Sequence, residues 1–140
     1  MSISREEMDT KVDEHFAFES QDDVDGVLAT LAPEAEHDIV GWPDGPTRGR
    51  EGARSFYEAL FADLSHSKVQ CLKRLYGDRF VVDESVWRGK APGKPFGLEG
   101  RGRPLEFRLL HIIEFDDDKD ISRENVWIDL AAIIRQLPQD

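Results

Sequence analysis

The stretch from Arg103 to Phe115 constrains the fold most, because its two parities differ. Leu105, Phe107, Leu109, His111, Ile113 and Phe115 share one parity, and Glu106, Arg108, Leu110, Ile112 and Glu114 share the other. In a strand these become opposite faces. The first is apolar throughout except for His111. The second is apolar only in its middle, as for a face covered along part of its length. The acidic break Asp116-Asp-Asp-Lys-Asp and the run Ile121 to Leu130 that follows it complete a long β-hairpin leading into a final helix. A wholly apolar sheet face needs helices over it, and the chain before Arg103 must supply them.

It does so. Ser4 and Glu7 form a capping-box pattern, and Met8, Val12, His15 and Phe16 recur near helical spacing, which predicts a first helix over residues 5–19. Ser20 with Asp23 caps a second, whose stripe Val24, Val27, Leu28 and Leu31 is stopped by Pro33. Ala35 to Val40 reads as a short strand ended by the turn-rich Gly41-Trp-Pro-Asp-Gly-Pro. Ala53, Phe56, Tyr57, Leu60, Phe61 and Leu64 form the strongest helical stripe in the chain. Val69 to Tyr76 and Phe80 to Trp87 are two extended runs joined at Gly77-Asp78. Residues 89–102, dense in Gly and Pro, read as an irregular and mobile rim. The order predicts an α+β layout with helices on one side of a strongly bent sheet.

At 140 residues the chain is expected to be one domain, 1–140, burying roughly 70% of its unfolded surface. Its net charge of −11 argues against nucleic acid and anionic membranes as partners. The single Cys71, in an alternating segment, is expected to be packed, and a lone cysteine fits a reducing compartment. With no apolar h-region and no run near ~20 apolar residues, a soluble cytoplasmic protein is the expectation.

Several segments together resemble one family: Gly49-Arg-Glu-Gly-Ala-Arg-Ser-Phe-Tyr-Glu-Ala-Leu-Phe, Glu84-x-x-Trp-x-Gly, Gly100-Arg-Gly-Arg-Pro-Leu-Glu-Phe, and Ile121-Ser-Arg-Glu with Asp129 and Gln136-Leu137. They are similar to the SnoaL-like polyketide cyclases of the nuclear transport factor 2-like superfamily. The resemblance implies a cystatin-like cone: a curved, mostly antiparallel sheet with three helices on its concave side and an apolar pocket within. Members include cyclases, isomerases, dehydratases, hydrolases and proteins without catalysis. The family's cyclases use a carboxylate on the last strand, helped by a histidine on the strand before it. His111 matches the histidine, but Val126 falls where the aspartate would be, with Glu124 one pleat away. Ala91 stands where related sequences often carry a histidine.

Acid/base chemistry next to a carbonyl needs a base and a donor for the enolate, and a carboxylate or histidine in a dry pocket serves. The catalytic candidates are His111, His37, Glu84 and Glu124. For each histidine the alternative is a core or rim side chain satisfied by one hydrogen bond. For Glu84 it is a salt bridge to Arg108 or Arg123, and Glu124 faces the same choice. Trp42, Tyr57, Trp87, Phe96, Phe107 and Leu109 are the candidate substrate contacts, or simply core. Asp129 reads as an N-cap. The four histidines are scattered without ligand spacing, so no metal is expected, and no other cofactor. Two functions fit: a cofactor-free cyclase- or isomerase-type enzyme acting on a small apolar carbonyl compound, or a dimeric module that only binds a small hydrophobic molecule. In either case Leu110, Ile112 and Trp127 predict a homodimer through the less covered sheet face.

Overall fold

The computed structural model describes residues 2–42 and 44–138, leaving aside the side chains of His66 and Ser67. Helix α1 (Arg5–Ser20) starts at the capping box: Ser4 Oγ accepts from Glu7 N at 3.1 Å, and Glu7 Oε1 accepts from Ser4 N at 3.1 Å. Its buried stripe is Met8, Val12 and His15. Helix α2 (Val24–Ala29) is capped by Asp23, which accepts from Gly26 N at 2.9 Å.

This helix is shorter than its apolar stripe suggested. The Thr30 hydroxyl donates back to the Val27 carbonyl and closes it, so Leu31 and Pro33 belong to strand β1 (Leu31–Val40). Pro33 falls where the pairing of β1 shifts register between Leu31 and Glu36, a place where a missing N–H leaves no ladder bond unmade. A two-residue strand β2 (Thr47–Arg48), absent from the sequence reading, pairs antiparallel with β1. Helix α3 (Arg50–Asp63) then buries Ala53, Phe56 and Tyr57.

Strands β3 (Ser65–Tyr76), β4 (Phe80–Ala91), β5 (Arg103–Phe115) and β6 (Ile121–Ile128) follow, and helix α4 (Leu130–Gln136) closes the chain. Asp129 caps α4 by accepting from Ala132 N at 3.1 Å. Gln136 then ties α4 to the sheet, donating to the Glu106 carbonyl at 2.6 Å and accepting from its N–H at 3.0 Å. The sheet order is β2-β1-β6-β5-β4-β3, antiparallel except for β1 beside β6. Gly89 to Ala91 pair with Leu105 to Arg103, so the expected irregular rim begins only after Ala91. What remains of it folds tightly at Gly100, where an added Cβ would stand 2.1 Å from the Ala91 carbonyl.

The sheet curves over α1, α2 and α3. Inward from β5 point Leu105, Phe107, Leu109, His111, Ile113 and Phe115, and the outward parity carries Glu106 and Arg108. The register places Asp83, His111 and Val126 in one row across β4, β5 and β6, and Ile113, Glu124 and His37 in a row across β5, β6 and β1. Trp127, on the outer face, is 51% exposed. Cys71 is exposed rather than packed, on β3 at the edge of the sheet. Among the described residues, no helix is long and apolar enough to cross a membrane.

Candidate active site

Between the helices and the inner sheet face lies a cavity of about 490 Å³. Its wall is mostly apolar and aromatic: Phe16 from α1, Phe56 and Phe61 from α3, Trp87 from β4, and Phe107 and Leu109 from β5. Phe96, from the loop after β4, closes one end with its ring 5.8 Å from Trp42. Trp87 and Phe107 stack at 5.2 Å. Two polar groups of side chains interrupt this wall.

The first is built around Glu124, 2% exposed on β6. His15 Nε2 lies 2.7 Å from Glu124 Oε2, and the Tyr57 hydroxyl lies 3.2 and 3.3 Å from the two carboxylate oxygens. The Thr30 hydroxyl spends its proton on the Val27 carbonyl, so it accepts from His15 Nδ1 at 2.6 Å. With Nδ1 protonated, a positive His15 also donates through Nε2 to Glu124. Burial opposes that charge, but the charge and hydrogen bond of Glu124 outweigh it and raise the His15 pKa to about 9. Burial likewise opposes the Glu124 charge, and the charge and hydrogen bond of His15 overcome it, holding the carboxyl well below its usual range. Tyr57 gives its proton to Glu124 and accepts from His37 Nε2 at 3.1 Å. Burial pushes His37 downward against the pull of Glu124, which leaves a neutral ring suited to this donor role. Burial, with the charges of Glu124 and Glu19, pushes the Tyr57 hydroxyl well above its ordinary value.

The second group surrounds Asp83, wholly buried on β4. Arg74 Nε donates to Asp83 Oδ2 at 2.8 Å and Ser85 Oγ donates to Oδ1. Arg74 also reaches Asp9 at 2.9 Å and Asp13 at 2.7 Å, tying β3 to α1. His111 Nδ1 faces Asp83 Oδ1 at 3.7 Å and is a buried nitrogen with no hydrogen-bond partner among the described residues. Burial raises the Asp83 pKa, but the facing His111 and the bonds from Ser85 and Arg74 outweigh it and keep the carboxyl ionised. Phe16 packs on the His111 ring at 4.9 Å.

The four catalytic candidates therefore fare differently. His111 and Glu124 both line the cavity, and His37 stands behind Tyr57, 3% exposed, rather than at a rim. Glu84 points to the outer face and pairs with Arg108, because its strand turns Val81, Asp83, Ser85 and Trp87 inward. It is not part of the site. Trp87, Phe96, Phe107 and Leu109 line the cavity; Tyr57 lies behind it, and Trp42 meets it only through its contacts with Phe56 and Phe96. Sequence reasoning missed His15 and Asp83. A titratable ring on the Met8, Val12 stripe was the available signal for the first, and the polar pair at Asp83 and Ser85 between Val81 and Trp87 for the second.

A curved sheet over three helices is the nuclear transport factor 2-like fold. Within that class the chain belongs to the SnoaL-like polyketide cyclase family, whose family model matches residues 8–137. Among solved structures it is similar to a Jannaschia sp. CCS1 protein assigned as a SnoaL-like polyketide cyclase, with TM-score 0.84, 16% identity, and 100% and 99% of the two chains covered. A Xanthomonas campestris protein assigned as a polyketide cyclase gives TM-score 0.80 at 21% identity, covering 96% of this chain and 98% of the other. SalBIII, described as an epoxide hydrolase/cyclase-like enzyme of pyran ring formation in polyether salinomycin, gives TM-score 0.76 at 13% identity, covering 92% and 95%. At these identities the likeness concerns the fold. No curated protein matches the chain.

Proposed function

We propose that this protein is a cofactor-free acid/base enzyme, of cyclase or isomerase type, acting on a small, largely apolar carbonyl compound. The observation that carries this reading is His111: an imidazole in an aromatic cavity, its Nδ1 unpartnered and turned toward a buried, ionised Asp83. A resting base has this form. With the neutral ring's proton on Nδ1, Nε2 is the nitrogen that takes a proton from the carbon beside a carbonyl; the imidazolium so formed faces the Asp83 carboxylate, and the 3.7 Å gap is one that a bound ligand can tighten. Apolar walls exclude water and strengthen that interaction.

The aromatic lining supports a flat, hydrophobic ligand, and about 490 Å³ suits one of small-molecule size. A second reading, binding without turnover, is favoured by Val126, an aliphatic side chain opposite His111 where the family's cyclases carry a carboxylate. We read the protein as a cytoplasmic homodimer in either case.

A substrate-independent assay separates the two. The purified protein is mixed with α-deuterated 2-tetralone, and loss of deuterium to solvent is followed by NMR. Enzyme-type chemistry predicts exchange well above the buffer rate, lost in His111→Gln and unchanged in Glu84→Gln. Binding of the ketone without exchange in the unaltered protein would leave the binding module as the correct reading.

A further inference from the structure

One carboxylate of the cavity has no assigned task. Glu19 lines the cavity from the last turn of α1, its side chain 22% exposed, on the same wall as Phe16. Its ion-pair partner among the described residues is His15, four positions back, at 3.5 Å. That imidazolium is already engaged at 2.7 Å by Glu124. Two carboxylates thus share one cation, and like charges so close do not ionise together easily. Which one keeps the proton follows from the donors: Glu124 has the short His15 bond and the Tyr57 hydroxyl, whereas among the described residues Glu19 has the longer contact alone. The helix opposes a charge on Glu19 as well, since the last turn of α1 presents carbonyl oxygens and holds no basic residue.

Resting on the acid/base reading above, we propose that Glu19 is the general acid of the site, a neutral carboxylic acid that protonates the substrate's carbonyl oxygen while His111 removes the neighbouring carbon-bound proton. The step balances. The C–H bond breaks to His111, its electron pair forms the enol C=C bond, the carbonyl π pair moves to oxygen, and the Glu19 O–H bond breaks to complete the enol. His111 is left as imidazolium and Glu19 as carboxylate, both on the cavity wall, and return of both protons closes the cycle. Burial, with the charge of Glu124, raises the Glu19 pKa to about 7 against the opposing pull of His15. The titratable and charged groups around it are His15 and Asp13 on α1, Arg74, Lys68 and Cys71 on β3, His111 on β5 and Glu124 on β6. The ligand class narrows accordingly: a neutral ketone is accepted, and a ligand carboxylate that would sit beside the ionised Glu124 is repelled.

The test is the 2-tetralone exchange assay run from pH 5 to 9, together with ¹³C NMR of the Glu19 carboxyl in the free protein. The expected result is a rate that falls as Glu19 ionises near pH 7 and a carboxyl resonance that titrates in the same range. Glu19→Gln is expected to lower the rate by about a hundredfold or more, in the range for loss of a general acid, and to abolish that pH limb. Glu19→Asp, which retains a carboxyl, is expected to recover part of the rate. Exchange that is present but indifferent to Glu19→Gln, or a Glu19 carboxyl titrating below pH 5, overturns the assignment of Glu19 alone. Absence of exchange in the unaltered protein overturns the acid/base reading and this assignment with it.

Discussion

Raising the pH should unfold this protein earlier, through the His15–Glu124 pair. His15 is fully buried, and its pKa of about 9 in the fold compares with an ordinary 6.5. A group whose folded pKa is raised contributes stability that is complete below the unfolded value and is lost as pH rises through the folded one. The window is therefore pH 6.5 to 9. At about 1.4 kcal/mol per pH unit, the loss across it is about 3 kcal/mol. Glu19, with its pKa raised to about 7, adds a loss of the same sign between its ordinary 4.5 and that value. The range above pH 7.5 consequently isolates His15, and it holds about 2 kcal/mol of the decline. Urea titrations at half-unit pH steps measure it. With a slope of about 2 kcal/mol per molar urea, the midpoint should fall by about 1 M between pH 7.5 and 9.5. Glu124→Gln removes the charge that protonates His15, so it should cost about 3 kcal/mol at pH 6, as expected for breaking a buried pair. That cost should shrink toward high pH and leave a nearly flat profile above pH 7.5. A midpoint independent of pH from 7.5 to 9.5 in the unaltered protein would refute the ion pair, and with it the reason Glu19 is left holding a proton.

Two further outcomes follow from the outer sheet face and the rim. Leu110, Ile112 and the half-exposed Trp127 leave apolar area in water that a second copy would bury at about 25 cal/mol per Å², so sedimentation should find a dimer at micromolar concentration and Trp127→Lys should shift it to monomer. Hydrogen exchange at residues 92–102 should be faster than in the paired strands and should slow when a ketone occupies the cavity, since Phe96 from this loop forms part of its wall; uniform strong protection in the free protein would argue against a mobile rim.

Helix α3 and strand β5 were legible because their apolar periods are long and nearly unmixed. β5 is the clearest case: six inward residues of one parity fix which face is buried before any partner is known. β4 carried no such signal. Val81, Asp83, Ser85 and Trp87 hold two polar groups, whereas Phe80, Val82, Glu84 and Val86 hold one, so the outward parity looks the more apolar. Only the pairing of Asp83 with His111 decides the matter, and that is a property of two strands rather than one. His15 was hidden differently. It keeps helical spacing with Met8 and Val12 and passes for a core residue until Glu124, 109 positions later, is brought beside it. The parallel pairing of β1 with β6 was equally out of reach, since it joins segments separated by more than half the chain.

The row Asp83, His111, Val126 also explains how a family member can lack the carboxylate that the resemblance leads one to expect. β5 has a neighbour on each side, and a side chain at the His111 position can meet a partner from either. An aspartate at position 126 would approach His111 from β6. In this chain that place is aliphatic, and the carboxylate comes from β4 instead, at the other end of the same row. Glu124 lies one pleat further along β6, opposite Ile113, so its offset from that row is about 7 Å. It is consumed there by His15 and Tyr57 and cannot serve His111 as a direct partner. The consequence is a division of labour among three acids that sequence alignment on the last strand would not reveal. On the proposed reading, Asp83 faces the histidine as the counter-charge for its protonated form, Glu124 is held by His15, and the sharing of His15 leaves Glu19 as the acid with a proton to give.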